Sequence, residues 1–129
     1  MEAALRALLI GHAPLIALVP AARIVWNHLP QATTRPAIVL YKITGTPGIT
    51  MQGSDGLASN IVQIDVQALT VGSMWAIRDQ VMGLLHGYRD GTFKGIFANG
   101  VDRQSSEELT GVGLIHRASM DFNVWASAQ

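Results

Sequence analysis

Across Ile61-Val62-Gln63-Ile64-Asp65-Val66-Gln67-Ala68 apolar side chains return at every second position: Val62, Ile64, Val66 and Ala68 share one face, Gln63, Asp65 and Gln67 the other. That period predicts a half-buried strand. Past Thr70, a candidate N-cap, the rhythm changes to steps of three and four: Val71, Met74, Ile77, Val81, Leu84 and Leu85 form one helical stripe, with Arg78, Asp79 and Gln80 on the wet side. Gly87 supplies a stop signal for this helix. A second alternating run, Leu114, Ala118, Met120, Phe122 and Val124 against Arg117, Ser119, Asp121 and Asn123, predicts a long closing strand inside the sheet.

The remaining elements are shorter. Leu5, Leu8 and Leu9 share a helical face, and Pro14 starts a second turn that Pro20 stops, giving a bent helical lead-in. Arg23-Ile24-Val25-Trp26 predicts a brief edge strand. Ala37-Ile38-Val39-Leu40-Tyr41-Lys42-Ile43 is apolar on both faces at first and predicts a central strand. Residues 45–59, with Gly45, Pro47, Gly48, Gly53 and Gly56, predict a long mobile loop. Asn99-Gly100, between 92–98 and 101–108, predicts a two-residue hairpin whose second arm is polar on both faces. That arm cannot cover Phe93, Ile96 and Phe97, so their cover must come from the body of the fold or from a neighbouring subunit. Strands with only two helical regions indicate an α+β fold: an antiparallel-rich sheet with one main helix and an N-terminal helix packed on it, plus the hairpin.

Composition narrows the function classes. The 129 residues are expected to form one domain, residues 1–129, able to bury roughly 65–70% of the surface its unfolded chain exposes. Nine basic residues balance nine acidic ones, so no footprint for gripping nucleic acid is visible. Charged residues make up 14% and hydrophobic ones 49%, a balance that favours burial of extra surface between subunits. Arg6, His12 and Pro14 interrupt the apolar N-terminus, so neither a membrane span nor a secretory signal is expected. With no cysteine there is neither a disulfide nor a thiolate metal site.

Nothing in the chain has the spacing of an active site. His12, His28, His86 and His116 are scattered over different elements. Glu107 and Glu108 are adjacent on a strand and point to opposite faces, so they cannot converge on one atom. The glycines of residues 45–59 are followed by no Lys-Ser or Lys-Thr pair, and Ser105-Ser106 lack a nucleophile elbow. Trp26, Trp75 and Trp125 read as core or interface anchors. A pocket enzyme or ligand-binding domain would have to draw on Asp65, Arg117, Asp121 or His116.

Several segments, in this order, resemble the tail-completion, or tail-terminator, family of long-tailed bacteriophages and gene transfer agents. They are Arg23-Ile24-Val25 followed by Leu29-Pro30, Pro36-Ala37-Ile38-Val39-Leu40-Tyr41, Val62-Gln63-Ile64-Asp65-Val66, the helix from Ala76 ending Leu85-His86-Gly87, and Asp121-Phe122-Asn123-Val124-Trp125. Trp26 stands where a tyrosine is more usual. The resemblance implies a structural virion protein without catalytic residue, cofactor or metal, assembled in the bacterial host cytoplasm. It implies a homo-oligomeric ring, usually a hexamer, at the head-proximal end of the tail tube, which stops tube growth and docks on the head connector. The major tail-tube protein and a connector or stopper protein are the implied partners, with DNA only in transit. Another connector or adaptor ring is the neighbouring possibility. On this reading Phe93, Ile96 and Phe97 are the candidate subunit interface. Gly45, Pro47, Gly48, Ile49, Met51 and Gly53 belong to the candidate contact loop for tube or connector. A ring needs two different complementary patches per subunit, which such elements can provide.

Overall fold

A computed structural model describes residues 2–29, 34–50, 53–90, 93–99, 103–109 and 113–127. Helices α1 (Glu2–Ile10) and α2 (Ala13–Ile16) lead through a 3-10 turn into β1 (Ile24–Trp26), followed by β2 (Ala37–Thr50), β3 (Gly53–Ala68), α3 (Val71–Leu85), β4 (Phe93–Ala98), β5 (Arg103–Leu109) and β6 (Gly113–Ser127). The strands form one mixed, mostly antiparallel sheet in the order β1-β2-β3-β6-β4, with β5 also on β6. This is the expected α+β class. The closing strand lies inside the sheet, between β3 on one side and β4 and β5 on the other.

All three helices cover one sheet face. On it Val62, Ile64, Val66 and Ala68 of β3, with Ala118, Met120, Phe122 and Val124 of β6, meet Met74, Ile77, Val81 and Leu85 of α3. Leu5, Leu9, Leu15 and Val19 close the same core from the N-terminal side. Each large side chain buried here stabilises the fold by about 1.5–3 kcal/mol. The expected cap of α3 is present: Thr70 Oγ1 accepts from Ser73 N–H at 3.1 Å. Gly87 follows with φ +82, the left-handed residue just past the helix end. Arg6 ties α1 to the sheet edge by donating from Nε to Ile24 O at 2.8 Å.

Two expectations are corrected. Residues 45–59 are not a loop: their described part continues β2 and β3 as an extended antiparallel ribbon, pairing Gly45 with Asn60 and Pro47 with Ala58 out to Thr50 with Gly53. Register shifts between Lys42 and Thr44 and between Pro47 and Ile49 break the period of two, and the glycines hide what remains of it. Pro47 is tolerated because β1 accompanies β2 only through Leu40, so beyond that point β2 is an edge strand. Met51 lies outside the described residues.

The second correction concerns Asn99-Gly100, whose Gly100, with Val101 and Asp102, lies outside the described residues. The chain does not fold back there. Ala98 pairs with Phe122 and Arg103 with Ser119, so β4 and β5 lie in line along the same edge of β6. Asn99 N–H still donates to Asp121 O at 2.7 Å. A long β6 offers backbone partners to both segments, and those bonds outweigh a local turn preference. The reversal comes later, between Leu109 and Gly113, which has φ +100.

Candidate functional site

The sheet face away from the helices carries Asp65, Arg117 and Asp121, each bonded to neighbouring side chains of the sheet. Asp65, almost fully buried, accepts at Oδ1 from Ser119 Oγ at 2.6 Å and from Gln63 Nε2 at 2.9 Å. Arg35, also buried, donates from Nε to Gln67 Oε1 at 3.2 Å. Arg103 grips both carboxylate oxygens of Asp121, at 3.1 and 3.3 Å, and Arg117 pairs with Glu107. The hydrogen bond and charge of Asp121 hold the Arg103 guanidinium above its usual pKa, keeping it cationic.

Asp65, Arg117, Asp121 and His116 were the candidates for a pocket, and the fold does not bring them to one point. His116 lies on the opposite face, where its Nδ1 is 2.8 Å from Ser106 Oγ. Asp65, Asp121 and Arg117 each face a different cross-strand partner, and of the three only Arg117 keeps a buried polar atom, Nε, without a hydrogen bond among the described residues. Glu107 and Glu108 point to opposite faces, as their spacing implies. Among the described residues no group of histidines and carboxylates could hold a metal ion, and no helix is long and apolar enough to cross a membrane.

The three interface candidates separate. Phe93 and Ile96 are buried in the subunit's own core, because a register shift after Phe93 turns both toward the helix face. Tyr88 packs edge-on against the Phe93 ring at 6.2 Å. Their cover therefore comes from the body of the fold. Phe97 is 44% exposed on the other face. Its ring lies over Gly95, where an added Cβ would sit 2.6 Å from the Phe97 Cε2. The His86 ring meets Phe97 edge-on at 6.3 Å.

Trp125, 41% exposed, pairs across the ladder with Gly95, so it flanks the same spot. Phe97 and Trp125 make an aromatic patch on the helix-free face; the expectation named Phe97 with Phe93 and Ile96 and left out Trp125. The signal was available: alternation along β6 puts Trp125 with Asn123 and Asp121, away from the core.

The sheet edges are unequally protected. Along β4, Gly87 N–H donates to Ile96 O at 2.6 Å, Ile96 N–H to Tyr88 O at 3.1 Å, and Ala98 N–H to His86 Nδ1 at 3.0 Å. His86 thus helps to cover this edge. The ribbon of β2 and β3 projects instead: Leu57 is the first β3 residue paired with β6, so the pairs Ile49 with Ser54 and Thr50 with Gly53 have no third strand among the described residues.

Residues 3–127 match a family model described as Tail completion protein gp17. Among solved structures, a chain from the virion of a native gene transfer agent particle shares the fold at a TM-score of 0.69 and 16% identity, over 95% of this chain and 90% of that one. No curated protein matches.

Proposed function

The chain belongs to the tail completion protein gp17 family, whose members are structural and not enzymatic, and from that premise we propose that it closes the head-proximal end of a tail tube as a ring of identical subunits. The ring stops tube polymerisation and presents a docking face to the head connector. Family membership over nearly the whole chain carries this reading. The distribution of chemistry supports it: charged groups on the helix-free face are consumed in cross-strand pairs, while Phe97 and Trp125 stay exposed there. Burying such side chains needs a partner.

The projecting ribbon, with Gly45, Pro47, Gly48, Ile49 and Gly53 as backbone-paired strand residues, is the contact element for tube or connector. Glycine-rich strands let another backbone approach closely. A chain with nine basic and nine acidic residues suits a lumen through which DNA passes without being held.

Tube subunits polymerised with and without this protein test the reading, with tube length and end density read by electron microscopy. Shortened tubes bearing a ring at one end are expected. Unchanged lengths and bare ends contradict it, and rings that bind only the connector assign the chain to an adaptor role.

A further inference from the structure

We infer that neighbouring copies join by their sheet edges, the outer edge of β5 in one copy pairing antiparallel with the free part of β2 in the next. This rests on the ring reading and adds how the ring is stitched. Both edges are open among the described residues. β1 pairs β2 only through Leu40, with Asn27 N–H on Leu40 O as the last bond, leaving 41–50 without an outer partner. On the other side the segment 86–88 covers β4, whereas β5 pairs only with β6. Each edge presents a row of backbone groups that another strand can satisfy.

Direction favours the junction. Strands β2, β3, β6 and β5 alternate in direction, so a copy placed side by side brings its β2 antiparallel to the preceding β5. The same alternation then runs across every junction in a closed ring.

Edge strands usually avoid pairing by carrying outward charges or proline. On β5, Arg103 is drawn onto Asp121 and Glu107 onto Arg117, both on β6, which leaves Gln104, Ser105 and Ser106 in the middle without charge. Of the charged residues on the two edge strands, Glu108 on β5 and Lys42 on β2 are left without an ion partner among the described residues. They have opposite signs and share the helix-side face of the sheet, Glu108 opposite Leu114 and Lys42 opposite Val62. Setting Glu108 against Lys42 places Leu109 at Tyr41 and runs the rest of β5 along the open edge beyond. Lys42 is level with Phe122 and Glu108 with Leu114, so each copy steps along the strand direction, and the strands tilt to the ring axis as in a closed barrel.

The absence of cysteine makes the test direct. Chains carrying Lys42→Cys together with Glu108→Cys, Ser106→Cys or Gln104→Cys are assembled, oxidised and run on a non-reducing denaturing gel. Within one copy these positions are separated by β3 and β6, too far for a disulfide, so any bond joins two copies. A ladder of covalent oligomers from at least one pair is expected. Rings that form by mass yet give no ladder from any pair overturn the edge junction while leaving the ring reading standing. Unsubstituted chains that stay single refute both.

If the cysteine substitutions themselves block assembly, hydrogen exchange on the unsubstituted protein replaces the gel. Outward-facing amides in 41–46 and 103–109 are expected to slow by at least about tenfold on assembly. Unchanged exchange in both segments overturns the proposal.

Discussion

Phe93 and Phe97 are four residues apart and do opposite work. Phe93 fills the core, so Phe93→Ala is expected to destabilise the subunit by about 3–5 kcal/mol in urea unfolding. Phe97→Ala is expected to cost under about 1 kcal/mol, because the ring sits on the surface. Self-association, measured by sedimentation on the folded Phe97→Ala variant, is expected to weaken. A smaller change is expected at Thr70, where alanine removes the cap accepted by Ser73 N–H and lowers stability by about 1 kcal/mol. Asp65→Ala strands the donors of Gln63 and Ser119 in a partly buried site and is expected to cost about 1–3 kcal/mol, read from the same unfolding curves.

At the scale of elements, legibility in the sequence follows from how each element is held. β3, α3 and β6 have one face on a shared core, so Val62 to Ala68, Met74 to Leu85 and Ala118 to Val124 display their periods openly. The ribbon of β2 and β3 is held by backbone pairing, which leaves no period in side chains such as Gly45 and Gly48. Asn99 reads as a turn because turn preference is local, whereas the competing partner, the edge of β6 near Asp121, is distant in sequence. Of the candidate site, Phe97 was readable as an unmatched aromatic. The division of Phe93 and Ile96 from Phe97 was not, since it depends on a one-residue register shift after Phe93. The ribbon's outer pairs support only each other, so replacing residues 48–56 by a two-residue turn is expected to leave the urea midpoint nearly unchanged. The same replacement is expected to abolish binding to tube or connector in a co-sedimentation assay.

For the whole molecule, the account depends on surfaces rather than reactive groups. The ion pairs Arg103–Asp121 and Arg117–Glu107 lie within a subunit, and an exposed Lys42–Glu108 pair between copies is worth little beside backbone and aromatic burial. Ring stability is therefore expected to change little across the salt range that screens surface charge. The most direct test of the central claim is the mass of the purified protein by sedimentation across rising concentration, alone and with short tail-tube fragments. The predicted result is one closed species of several copies, formed alone or on the tube end. A protein that sediments as a single copy throughout, with and without tube fragments, contradicts the account.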